Sequence, residues 1–196
     1  MPHASLLNVN PVLSEKVFKQ LITNWGKAAD TEDMAKWILV KTPKFTEKNM
    51  VSKVFPLVKT HKKQVSVRMV HSSVNNVYNV YSAVLQRLLL RKLRPAKHLC
   101  RSTDDLIKML GSLRLSPGDR LVSIDIEDFY LNGTHEELAK AAFEDDPGGN
   151  VGAEVLEWVL QQQLVSSDLL DDPYMVCTGS GIGQRMSGEL SDWFFW

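Results

Sequence analysis

Apolar residues return every third or fourth position over residues 14–28 and again over 31–39, so the chain opens with two amphipathic helices. Ser14 and the acid-rich Asp30-Thr31-Glu32-Asp33 stand where caps belong, and Val17, Leu21, Trp25, Met34 and Trp37 are the expected packing stripe. The period then drops to two. Residues 54–58 and 65–70 read as short strands around the polar turn Thr60-His61-Lys62-Lys63-Gln64, which makes a basic hairpin. From residue 72 to about 93 a 3.6 period resumes through Val74, Val77, Tyr78, Tyr81, Val84, Leu85, Leu88 and Leu89. It ends in Arg87, Arg91, Lys92 and Arg94, cations that suit a helix C-terminus. Pro95 stops this helix, and Ser102-Thr103-Asp104-Asp105 caps another. Ser116-Pro117-Gly118-Asp119 then turns the chain into residues 121–130, where Val122, Ile124 and Ile126 alternate with Ser123, Asp125 and Glu127. That alternation predicts a strand with one apolar and one acidic face. Helices are expected over 134–143 and 151–164, split by Asp145-Asp146-Pro147-Gly148-Gly149. A strand about 174–178 then leads through a glycine cluster into a helix running to Trp196. No internal repeat or low-complexity tract interrupts this order.

A chain of 196 residues with 44% hydrophobic content can bury a sizeable core, and the mixture of periods makes it α+β with one or two subdomains. No long apolar stretch follows the N-terminus, so neither a signal peptide nor a membrane span is expected, and an intracellular protein is. Cys100 and Cys177 lie far apart without CxxC spacing, and the five histidines form no i, i+4 pair. This spacing points away from zinc and disulfides.

Charge changes the picture more than composition does. The formal net charge is zero, yet residues 48–103 hold twelve Lys or Arg and no Asp or Glu, while residues 104–172 hold sixteen acids and four bases. A basic half suits a polyanion, and an acidic half facing it would repel that polyanion unless metal ions lay between them. Two solvated faces that attract each other during folding are the alternative. The acidic strand face carries the same choice. Its carboxylates either converge on a hard cation such as Mg²⁺ or face water from a half-buried edge strand. Gly179, Gly181 and Gly183 do not fit G-x-G-x-x-G, since Gln184 and Met186 follow, so a dinucleotide fold gains little support.

The order of three pieces carries a resemblance that no single piece would. The hairpin with Lys59, Lys62 and Arg68, the run Ser123-Ile124-Asp125-Ile126-Glu127-Asp128-Phe129-Tyr130, and the segment from Thr178 through Gly183 and Ser187 to Ser191 together resemble the fingers and palm of a reverse transcriptase. The likeness is greatest to the Penelope-like and related retroelement branch, whose K-x-H-K pattern is matched by Lys59-Thr60-His61-Lys62, and it spans about residues 54–196. It implies a right-hand polymerase architecture, with helices packed on a small antiparallel sheet. Residues 1–50 would be an N-terminal helical extension, 51–118 a fingers-like basic hairpin and helices, and 119–196 a partial palm.

The same resemblance assigns roles. Asp125, with the backbone carbonyl of Ile126, would hold Mg²⁺ or Mn²⁺. Two metals suit in-line nucleotidyl transfer because they stabilise both the attacking and the leaving oxygen. Arg68 would meet the triphosphate with its planar fork, assisted by Lys59 or Lys62. Tyr130 would be the steric gate against a ribose 2′-OH, Gly183 would let backbone pass close to the nascent base pair, and Ser187 would start the following helix. Partners would be an RNA template, a DNA primer and deoxynucleoside triphosphates, in the nucleus if the source is a eukaryotic retroelement.

The [YF]-x-D-D hairpin that supplies the other metal-binding carboxylates in that family is absent from the sequence, and Asp171-Asp172 precedes the glycine segment and reads as a polar loop before Pro173. The expectation is therefore a fragment of an RNA-directed DNA polymerase, inactive by itself, with an apolar end at Trp193, Phe194, Phe195 and Trp196 that invites association. A non-catalytic nucleic-acid-binding or interaction protein derived from such a domain is the alternative.

Overall fold

Pro11 has no N–H to leave unsatisfied at a helix start, and Asn10 before it accepts the Leu13 N–H at 3.1 Å, so the first helix begins there. Ser14, expected as the cap, lies one turn inside, its N–H bonded to the Asn10 carbonyl. The computed structural model describes residues 10–60, 66–96, 99–100, 102–168 and 173–196. Within them the elements are α1 (Pro11–Ala28), α2 (Glu32–Lys41), α3 (Glu47–Met50), β1 (Val51–Lys59), β2 (Ser66–Ser72), α4 (Asn79–Lys92), α5 (Thr103–Ser112), a 3₁₀ turn (Phe129–Leu131), α6 (His135–Phe143), α7 (Gly149–Gln161), β3 (Leu164–Ser166), β4 (Tyr174–Met175) and α8 (Ser187–Phe195). The class is α+β, as the alternating periods indicated.

The helices pack around one aromatic knot. Phe18 of α1 meets Phe45, Tyr78, Tyr81 and Trp158 with ring centroids 5.6 to 6.3 Å apart, and Trp25 meets Tyr81 and Phe143 at 5.9 Å. Leu85 and Leu89 of α4, Leu138 of α6, Leu156 and Leu160 of α7 and Leu190 of α8 complete the core, each fully buried and contributing roughly 1.5–3 kcal/mol of apolar transfer. The buried stripe of α1 and α2 is displaced by one residue from the expected one. Phe18, Ile22, Trp25, Ala35 and Ile38 face the core, Val17, Leu21 and Met34 are half-buried, and Trp37 is exposed. Both stripes share the helical period, and only the direction from which α7 approaches α1 selects between them.

The sheet runs β2-β1-β3-β4 and is mixed, not antiparallel as expected: β1 pairs β2 and β3 pairs β4 antiparallel, but β1 and β3 are parallel. The chain leaves β1 through the hairpin and returns to β3 only after α7, which lets it re-enter alongside β1 in the same direction. β3 takes residues expected in the preceding helix, because Leu164 and Val165 bury themselves by pairing with Val51 and Ser52. α4 starts at Asn79 instead of 72, since β2 continues to Ser72 and Asn75 turns the chain at φ 62°.

The largest departure is residues 113–128. The expected acidic strand over 121–130 does not form. Val122 is 78% exposed and Ile124 84%, and among the described residues no strand pairs with this segment. Alternation supplies two faces, yet a strand needs a neighbour for its N–H and C=O groups, and water takes that place here. α5 shares this condition: Ser102 caps it by accepting the Asp105 N–H, but none of its residues is buried.

Candidate functional site

The hairpin register pairs Leu57 with Arg68 and Lys59 with Ser66, so positions 59 and 68 belong to one face of the ribbon. Arg68 is exposed on it. Lys62 lies outside the described residues, as do His61 and Asp171-Asp172. At the base of the hairpin β2 meets the glycine segment. The His71 N–H donates to the Ile182 carbonyl at 2.6 Å, and Ser73 Oγ donates to the Gly183 carbonyl at 3.1 Å. Gly183 has φ 101°, and a Cβ there would overlap the His71 carbonyl oxygen, so a glycine is required both by conformation and by space. On its other side the segment is tied to the 3₁₀ turn: the Ser180 N–H donates to the Tyr130 carbonyl and the Gly179 N–H to the Gly133 carbonyl, both at 2.9 Å. Ser187 is buried and donates from Oγ to the Ser180 carbonyl at 2.9 Å, fixing the glycine turn to the start of α8.

Tyr130, Gly183 and Ser187 are thus joined through backbone into one unit with the end of β2. Tyr130 itself is half-buried, its ring 5.3 Å from Phe129, which stacks on Phe195 at 5.1 Å. Asp125 and Ile126 are not part of this unit. Asp125 is exposed on the unpaired segment, Ile126 is 44% exposed, and the order begins only at Asp128, whose left-handed backbone (φ 49°) starts the 3₁₀ turn. There Asn132 Nδ2 donates to the Glu127 and Asp128 carbonyls. Among the described residues no three His, Cys, Asp or Glu side chains gather closely enough to hold a metal ion.

Three residues that sequence reasoning passed over sit in this unit. His71 is buried against the Gly181 backbone with Nδ1 unpartnered, and burial pushes its imidazole below the usual histidine range. Gln163 is buried, donates to the Gly179 carbonyl at 3.3 Å and accepts from Gln184 Nε2 at 3.2 Å. His135 is also buried and lowered by burial, opposed by a hydrogen bond with the Gly179 backbone. His71 left one trace in the sequence: it falls on the face of β2 that otherwise carries Val67 and Met69. No helix among the described residues is long and apolar enough to cross a membrane. No family model, curated protein or solved structure matches the chain.

Proposed function

We propose that this chain is a fingers and partial palm segment of a retroelement-type RNA-directed DNA polymerase. The observation that carries the reading is the unit just described. Three sequence-distant pieces named by the motif order, the basic hairpin, the turn bearing Tyr130 and the glycine segment, are hydrogen-bonded to one another through His71, Ile182, Tyr130 and Ser180. In this reading Arg68, Lys59 and Lys62 meet the triphosphate, Tyr130 discriminates at the sugar, and Gly183 and Ser187 shape the surface beside the nascent pair. Asp125 and the Ile126 carbonyl are the ligands assigned to Mg²⁺ or Mn²⁺. They do not amount to a two-metal site, because no second carboxylate stands with Asp125. We therefore assign no nucleotidyl-transfer step to this chain alone.

The test is primer extension on an RNA template. The 196-residue chain should extend no faster than its Asp125→Ala variant, whereas a longer product of the same gene containing a [YF]-x-D-D hairpin should extend and lose that ability on the same substitution. Template-dependent extension by the 196-residue chain would show that its own residues suffice. Failure of the longer product to extend would remove the polymerase reading. The second reading is a non-catalytic nucleic-acid-binding protein, favoured by one observation: twelve cations and no acid over residues 48–103.

A further inference from the structure

Behind the glycine unit, on the far side of His135, the start of α6, the end of α7 and β4 enclose an open groove of about 520 Å³. Its polar lining is almost wholly accepting. Glu157 and Glu136 stand on its walls, and Gln161 turns its amide N–H₂ into Glu157 at 2.9 Å, leaving the amide oxygen free to accept. His135 lines the groove at 7% exposure. One ring nitrogen is engaged by the Gly179 backbone while Nε2 is buried without a partner, so the neutral ring holds an unused lone pair there. The negative end of the α7 dipole adds to the same sign. One cation, Lys140, is near: it pairs with Glu136 and also feels Glu157, which leaves the two carboxylates with one negative charge unmatched. Met175, 43% exposed, and Val176 give the groove an apolar wall.

A buried unpartnered acceptor, surplus carboxylate charge and an apolar strip in one groove call for a ligand with several donors, a positive charge and a short hydrocarbon stem. We propose that this groove binds an alkylguanidinium or alkylammonium group, its N–H donors directed to Glu157, Glu136 and His135 Nε2 and its methylenes against Met175 and Val176. That chemistry is shared by free small amines and by an arginine or lysine side chain, and the groove's volume admits either.

The experiment titrates the full chain with agmatine, with N-acetylarginine amide and with neutral butylurea, by calorimetry and by the imidazole nitrogen resonances of His135. At least one guanidinium should saturate, Glu157→Gln should weaken it about tenfold, and the His135 Nε2 resonance should move on binding while butylurea leaves it in place. Binding of agmatine alone would identify a free amine as the ligand, and binding of N-acetylarginine amide would identify a side chain. The proposal is overturned if neither guanidinium saturates, if butylurea binds equally well, if Glu157→Gln leaves the affinity unchanged, or if the His135 nitrogen does not respond.

Discussion

Two glycines share φ 101° and differ in everything else. A Cβ at Gly118 would meet nothing within 4 Å, whereas one at Gly183 would overlap the His71 carbonyl. Gly118→Ala should therefore cost only the backbone strain, about 1–2 kcal/mol, and Gly183→Ala should cost that plus the displacement of β2, about 3–5 kcal/mol in total. Urea denaturation of the two variants measures the difference. Equal losses would mean that the contact between His71 and Gly183 does not hold in solution. The histidines lead to a second expectation. His71 and His135 are both held below their ordinary value of 6.5, so the unfolded chain takes up protons that the folded chain refuses. Stability is complete above pH 6.5 and falls as the pH drops below it toward the lowered values. Urea midpoints at pH 7.5 and 5.5 should show that fall in the parent and a shallower one in His71→Gln.

Among elements, α4 and α5 present the sharpest contrast. Both show apolar residues at helical spacing and both carry suitable ends, yet Leu89 of α4 is fully buried while Leu106 and Leu110 of α5 are 41% and 44% exposed. Leu89→Ala should cost about 2–5 kcal/mol, through lost transfer energy and the cavity left behind. Leu106→Ala and Leu110→Ala should each stay within about 0.5 kcal/mol. Chemical denaturation checks all three, and a large loss at Leu106 would show that α5 is packed in solution. The same contrast separates β1 from residues 121–126. Both alternate, but Val54 and Ser52 find β2 and β3 beside them, while Val122 and Ile124 have no strand alongside.

At the scale of the whole molecule, charge asymmetry outlives the loss of any one element. A surface with twelve cations and no acids across 56 positions of chain should hold nucleic acid by counterion release, whether or not chemistry follows. Replacing Lys59, Lys62 and Arg68 together by Ala should lower the slope of log affinity against log salt by about 2 for single-stranded RNA, at about 0.7 per contact. Filter binding between 50 and 200 mM salt, roughly the range over which such contacts act, measures it. An unchanged slope would move the binding surface away from the hairpin.

Helix existence, the hairpin and the basic half were determined by the sequence itself, because each rests on local facts: the 3.6 period of Val77, Tyr81, Val84 and Leu85, the two-residue period around residues 60–64, and the run of cations. Of the proposed site, the chemical types at Arg68, Asp125, Tyr130 and Gly183 were legible for the same reason. Which residues stand together was not. The buried face of α1, the parallel entry of β3, the burial of His71 against the Gly181 backbone and the solvent exposure of Asp125 all depend on neighbours distant in sequence, and local periodicity holds no information about which neighbour arrives. Tertiary structure decided those, since a face is buried and a strand forms only when another element supplies the surface and the hydrogen-bond partners.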